Sequence, residues 1–238
     1  MSRPGGDSTD GDAVAGVDDA EVPPPRFEPG DGWRLVDATV ETPFDVGVVT
    51  VTAHTVVFED RRLREAVAGR ADSGVDASGS PGGEPAPEPG PESESGSEPD
   101  RLWRFAFATR IRLRPRTRPS AALTRLVTNR AGSGFVDRLR DRGFEDVSRR
   151  DSRRFRVGDA DATLAAYDAV ARVGDVRLAV DGWVAVWPDG DGFLMAGGAY
   201  PTAVRDDGGD PTTAAALGER LAPTAFREEL FDLIRRTA

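Results

Sequence analysis

From Trp103 to Arg114 the chain alternates with a period of two. Trp103, Phe105, Phe107, Thr109, Ile111 and Leu113 fall on one side, and Arg104, Ala106, Ala108, Arg110, Arg112 and Arg114 on the other. That period predicts a β-strand with its apolar side toward a core and its arginine side outward. A slip of one residue would bury four guanidinium groups, so the register is well specified. Two earlier strands are predicted. One covers 33–40. The other covers 48–58, where Val49, Val51, Ala53 and Val57 alternate with Thr50, Thr52 and His54. The intervening residues 42–47 read as a turn, and 61–68 as a short helix.

Beyond the arginine strand the period changes. Ser120 stands where a helix N-cap is expected, ahead of Leu123, Leu126 and Val127. Gly132-Ser133-Gly134 predicts a break or a kink, followed by a second, turn-rich piece over 135–142 with Gly143 at the C′ position. From Phe144 onward the pattern predicts a meander of strands. Residues 146–157 form the first. Residues 160–171 are rich in alanine, which favours helix, but Gly158-Asp159 and Gly174-Asp175 are strand turns, and these decide for a strand. In 176–187, Val176, Leu178, Val180, Val184 and Val186 share one face, and Trp183 and Trp187 share the other. Residues 188–192 read as a hairpin turn, and 193–200 as the returning strand. Both faces of the last two strands are apolar, so something must cover the second face. The C-terminal helix is the predicted cover, with Phe226, Leu230, Leu233 and Ile234 at helical spacing and Thr224 as its cap. The expected architecture is α+β, an antiparallel sheet flanked by helices on both faces.

Composition adds two segments and several exclusions. Residues 1–30 read as a disordered acidic tail. In 71–100, Gly, Pro and Ser supply 18 of 30 residues, too little apolar surface to offset ordering entropy, so this stretch reads as a disordered acidic insertion. The expectation is a single domain over 31–238 that contains the insertion. No cysteine is present, which excludes disulfides, thiolate metal sites and cysteine catalysis. All 31 basic residues are arginine, which excludes Schiff-base chemistry and a P-loop lysine. The absence of lysine, the many Asp and Glu, the abundant Gly and Ala and a pI near 4.8 together resemble the composition of proteins from extreme halophiles. No signal peptide or apolar span of membrane length is evident, and the reading is a soluble, cytoplasmic protein that does not engage membranes.

Charge is distributed unevenly. Residues 101–158 hold 17 arginines and 5 acids, a net of +12, in an otherwise acidic chain. Arg104, Arg110, Arg112 and Arg114 are therefore the candidate nucleic-acid or anion-binding residues. "RFAFAT" is similar to part of the RNP1 consensus of RNA-binding sheets, but the aromatics and the arginines face opposite ways here. The competing reading is structural, with the arginines paired to acids elsewhere in the fold. The insertion ends directly before the stripe, and its tether would let it shield the basic face. Trp183, Trp187 and Tyr200 are candidates to line a pocket, or else core under the final helix. Gly197 and Gly198 would admit a close approach by a ligand or another backbone. His54 is the sole histidine, and no nucleophile motif accompanies it. "PDGDG" and "GDAD" are similar to fragments of calcium loops without the later ligands, so turn chemistry accounts for them. Gly132-Ser133-Gly134 before a helix is a weak anion-cradle signal. No metal site and no cofactor is expected.

The segments "RRFRVGDADATLAAYDA", "VDGWVAVWP" and "FLMAGGAYP" within 144–200 resemble uncharacterised conserved proteins of haloarchaea. That resemblance covers most of the folded part and implies no activity. The order of strand hairpin, helix, antiparallel meander and closing helix is similar to the PsbP-like α/β/α sandwich, a likeness of topology alone. The expected function is a non-catalytic binding or protein-interaction module, with RNA or phosphate binding through the arginine stripe as the alternative.

Overall fold

The computed structural model describes residues 22–45, 50–63, 65, 103–205 and 211–238. In chain order the elements are β1 (Trp33–Asp45), β2 (Thr50–Asp60), β3 (Phe105–Arg114), α1 (Ala121–Asp141), β4 (Glu145–Val157), β5 (Ala160–Val173), β6 (Val176–Asp189), β7 (Gly192–Arg205), α2 (Pro211–Gly218) and α3 (Pro223–Arg236). The strands form one seven-stranded sheet in the order β1-β2-β3-β7-β6-β5-β4. Two antiparallel meanders are thus joined where β3 meets β7, also antiparallel, and β1 and β4 are the edges. The class is α+β, with an antiparallel sheet.

The period of two sorts the core into two clusters. Phe105 and Phe107 of β3 join Leu178, Val180 and Val184 of β6 with Phe135 and Leu139 of α1 and Leu217 of α2. Ala106 and Ala108 join Trp183, Trp187, Leu194 and Tyr200 with Phe226, Leu230, Phe231, Leu233 and Ile234 of α3. The final helix therefore covers the tryptophan face of β6, as its spacing predicts. Gly198 of β7 marks how closely it docks. A Cβ there would stand 2.2 Å from the Phe105 carbonyl oxygen and 3.0 Å from Leu230 Cδ1.

Helix α1 shows what the glycine pair does. Ser120 Oγ accepts a hydrogen bond from Leu123 N, as predicted for an N-cap. The expected break at Gly132-Ser133-Gly134 does not occur, and the helix runs unbroken to Asp141. Glycine inside a helix costs about 1 kcal/mol relative to alanine. Burial of Phe135 and Leu139 on the next turns outweighs that cost. Gly132 also has a packing reason, because a Cβ there would lie 2.7 Å from the Tyr167 hydroxyl. The helix closes in a Schellman motif, with Phe144 N bonded to Leu139 O and Gly143 N to Arg140 O. Gly143 takes the φ of +80° that this ending requires.

Other boundaries shift for identifiable reasons. β1 continues to Asp45 through the expected turn. A register irregularity between Glu41 and Phe44 absorbs Pro43, which an edge strand tolerates. Residues 46–49 lie outside the described residues, as does the predicted insertion at 71–100. Residues 61–63 and 65 of the predicted 61–68 helix are helical. Residues 160–173 form a strand, as the turn signals indicate. α2 was not predicted. α3 starts from Ala222 with Pro223 in its first turn and not from Thr224, since proline fixes a helical φ and has no N–H to satisfy.

The acidic tail expected through residue 30 also ends earlier than its composition suggests. Val22 and Phe27 are buried, Phe27 lies 5.7 Å from the Phe58 ring, and Arg26 exchanges backbone hydrogen bonds with Ala238. Residues 1–21 lie outside the described residues.

Two substitutions test this packing. Gly134→Ala, where nothing stands within 4 Å of the new methyl, should raise unfolding stability by about 0.5–1 kcal/mol. Gly198→Ala should lower it by about 1–3 kcal/mol through overpacking. Urea denaturation of both variants checks the pair of signs.

Candidate functional site

Arg104 opens the stripe on β3, but it does not face solvent. It is 5% exposed. Its guanidinium donates to Asp60 Oδ2 and to Glu229 Oε2, and it lies over the rings of Phe226 at 4.1 Å and Trp33 at 4.9 Å. Trp33 Nε1 donates to the other Glu229 oxygen at 2.9 Å. Asp60 Oδ1 accepts from the backbone N of Arg62 and Leu63. Arg104 therefore joins β1, β2, β3 and α3. The expectation of an outward arginine face fails at this end because α3 covers it. Beside the network, Glu59 is 1% exposed and is met by Arg34 at 2.9 Å.

Further along, the stripe opens toward the surface. Arg112 bonds the Asp189 carbonyl at 3.1 Å and its carboxylate at 3.3 Å. Arg116 reaches Asp191 at 3.4 Å. Arg156 pairs with Asp161 at 3.3 Å and bonds the Asp159 carbonyl at 3.1 Å. The acids of "PDGDG" and "GDAD" thus face arginines. Among the described residues, no group of three or more acids or histidines is arranged to hold a metal ion. Arg114 is exposed at the strand end. Arg110 is half-buried, and its Nε is buried without a hydrogen-bond partner among the described residues. It pairs across the strands with His54 on β2 and Leu194 on β7. His54 Nδ1 donates to the Val22 carbonyl at 2.8 Å.

The aromatic candidates are packed together. Trp183, Trp187 and Tyr200 are buried in the cluster under α3. Trp183 Nε1 donates to the Tyr200 hydroxyl at 3.1 Å, and its ring meets Phe231 edge-on at 5.0 Å. Burial pushes the Tyr200 phenol up to about 12. Burial also raises Tyr167, against a smaller opposing effect of Arg149.

Two features escaped the sequence reading. A cleft of about 260 Å³ is lined by Asp37, Thr39, Glu41, Thr55, Val57, Arg138, Asp141 and Arg142. Its residues come from β1, β2 and the C-terminal end of α1 with its cap residue Arg142, so no local motif could announce it. Glu41 and Arg138 pair across it at 3.3 Å. Burial lowers the Arg142 pKa, and its guanidinium lies over Phe105 at 5.2 Å. The second feature is β4. It is an edge strand, and most of its residues are exposed. Arg150 is held by Asp168 and Asp181. Arg149, Arg153 and Arg154 are exposed and form no ion pair among the described residues. Arg153 lies over the Trp183 ring at 5.5 Å. The signal for this edge, five arginines between 149 and 156, was present in the sequence.

Fold and surface define an α+β protein with an arginine-rich antiparallel sheet. Residues 19–238 match the family described as Domain of unknown function (DUF6517), and the chain belongs to that family. No curated protein and no solved structure matches it. No helix among the described residues is long and apolar enough to cross a membrane.

The buried network and the phenols each yield a test. Arg104→Ala leaves Asp60 buried beside an unfilled space, and it should cost about 3–5 kcal/mol of stability. Arg154→Ala should change stability by about 0.5 kcal/mol or less. Thermal or urea unfolding separates the two. For the phenols, an unfolded tyrosine ionises near pH 10, whereas Tyr200 ionises at about 12 in the folded state. Between those values the folded state holds the extra proton. The stability Tyr200 contributes is thus complete below pH 10 and lost as pH rises toward 12. With no lysine in the chain, ultraviolet titration should show phenolate absorbance delayed beyond pH 10 and rising together with unfolding.

Proposed function

We propose that this protein is a non-catalytic interaction module that binds an acidic polypeptide along the open edge of β4. The carrying observation is that, among the described residues, Arg149, Arg153 and Arg154 stand exposed and without ion pairs on a strand whose outer edge pairs with no other strand. An exposed edge offers a row of backbone N–H and C=O groups that an extended chain can pair with, and flanking side chains then select the partner. Arginine suits acidic partners because its planar fork binds carboxylates in two-pronged contacts. From Asp151 to Val157 the β4–β5 register is regular, so the outer edge there presents an even strip.

Solvent favours this partner over RNA. An acidic composition fits work at high salt, where the Debye length falls to about 3 Å. Binding by counterion release weakens by orders of magnitude under those conditions. Contact hydrogen bonds along a strand and two-pronged arginine–carboxylate pairs act at short range and are less affected. The same solvent accounts for the surplus of acids. The two core clusters support reading the helices as layers on opposite faces of the sheet, which leaves its β4 edge as the place to dock.

A labelled acidic dodecapeptide should bind the full chain by fluorescence anisotropy and keep most of its affinity in molar potassium chloride. The triple change Arg149→Ala, Arg153→Ala, Arg154→Ala should weaken it by about tenfold, equivalent to about 1.4 kcal/mol. Unchanged affinity in that variant, or tighter binding of a single-stranded RNA of similar length at molar salt, would rule out the reading.

A further inference from the structure

The cleft over β1 and β2 gathers charges that the rest of the fold leaves apart. Its floor follows from the strand period. Asp37, Thr39 and Glu41 lie two residues apart on β1 and so share one face. Asp37 pairs across the strands with Val57, and Thr39 with Thr55. Val57 belongs to the core cluster of Phe135 and Leu139, so this is the face that α1 covers. Arg138, Asp141 and the cap residue Arg142 come from the end of that helix. They stand three and four residues apart, hence on one side of it. The body of α1 packs on β6 and β4, in the other half of the sheet. Its end is left as the wall of a cleft of about 260 Å³.

One ion pair is made within the cleft, Arg138 with Glu41 at 3.3 Å. The side chains of Arg142, Asp37 and Asp141 form no ion pair and no hydrogen bond among the described residues. Elsewhere Arg112, Arg150 and Arg172 each close onto a carboxylate from another strand. Arg142 instead is half-buried, with its guanidinium over the Phe105 ring at 5.2 Å. Burial lowers its pKa and the charge of Arg138 lowers it further, against the opposing pull of Asp37 and Asp141. Unmet donors on a half-buried guanidinium are costly, and a carboxylate meets them in a two-pronged contact.

The lining restricts what can enter. Asp37, Glu41 and Asp141 disfavour a plain anion, and Arg138 and Arg142 disfavour a plain cation. Among the described residues these acids do not converge on a metal site. The volume lies below the range usual for drug-sized ligands. We propose that the cleft is a binding site for a small zwitterion of the α-amino-acid type, its carboxylate held by Arg142 and its ammonium group by Asp37 and Asp141. The ligand bridges charges that the protein itself leaves unjoined, and Thr39 and Thr55 add hydroxyls beside Val57 on the floor. Such contacts act at short range and survive a Debye length of about 3 Å. The site is independent of the β4 edge and uses different residues.

Ligand-observed proton NMR of the full chain in molar potassium chloride tests the proposal, with glycine, L-alanine and L-serine as probes. At least one should show saturation transfer with a dissociation constant of about 1 mM or below. The amide of that amino acid, which is only cationic, and its deaminated acid, which is only anionic, should each bind about tenfold or more weakly. Arg142→Gln should weaken the amino acid by about tenfold or more. So should Asp37→Asn with Asp141→Asn, two exposed positions whose change leaves the core untouched and so remains decisive if the arginine variant unfolds. Arg125→Ala, which removes a charge from an exposed position on α1, should leave affinity unchanged. Absence of saturation transfer from all three amino acids overturns the proposal. So does equal binding of either singly charged analogue, or affinity that survives either set of substitutions in the cleft.

Discussion

The buried guanidinium of Arg104 is the constraint on which the rest of the molecule depends. Taking a charge out of water costs several kcal/mol unless its hydrogen bonds are remade. Here Asp60 from β2 and Glu229 from α3 remake them, and the rings of Trp33 and Phe226 receive its faces. Glu229 lies 125 residues away in the chain. α3 can therefore settle on the sheet only where Glu229 meets Arg104. Apolar contacts from Leu230, Phe231 and Ile234 supply the driving force, but they tolerate sliding. The ion pairs specify the position. Asp60 carries the constraint further, since its second oxygen caps the helical turn after β2.

A chain whose cations are all arginine can make such pairs repeatedly. Arg112 with Asp189, Arg150 with Asp168 and Asp181, and Arg172 with Glu145 follow the same scheme. An exposed pair of this kind contributes about 1 kcal/mol or less, so these contacts are weak sources of stability. Their effect is on specificity. They assign Asp189 beside the β6–β7 turn and the strand acids Glu145, Asp168 and Asp181 to particular arginines on other strands, which discourages a register slip in a sheet rich in alanine and valine. The large positive charge of 101–158 is in this way partly neutralised inside the fold, and what remains exposed is localised.

The sequence carried much of the sheet because alternation is a local signal. The faces of β3 and β6 follow from the period alone, and the burial of Val184 against one cluster and Trp183 against the other matches it. Three kinds of information were not local. Period two tells which residues share a face but not whether that face is wet, so Arg104 read as exposed until α3 was set over it. Glycine propensity argued for a break at 132–134, but helix continuity was decided by Phe135 and Leu139 and by the Tyr167 hydroxyl beside Gly132. The pairing of β3 with β7 joins residues some 80–95 apart, and no composition or motif encodes that partner choice. For the candidate site, the basic bias was legible, as were the four arginines. Their division into a buried tie, a turn-paired residue, an exposed residue at the strand end and a half-buried residue whose Nε has no partner among the described residues was not.

The two basic surfaces differ in what covers them, and that difference follows from the same tie. By fixing α3, Arg104 also places Ala238, whose backbone pairs with Arg26. That pairing lays the segment 22–30 over β2 and brings Val22 to His54. The Arg104 end of β3 is therefore covered by α3, and the segment leading to β1 lies beside it over β2. Nothing comparable crosses β4 among the described residues. Its arginines sit at the far edge of the sheet, beyond β5, where α3 meets β4 through Phe231 against Phe155 and Arg153 and through Arg235 over Phe155. Arg104 and its two carboxylates thus help determine which end of the arginine-rich sheet lies beneath other parts of the fold and which stands exposed.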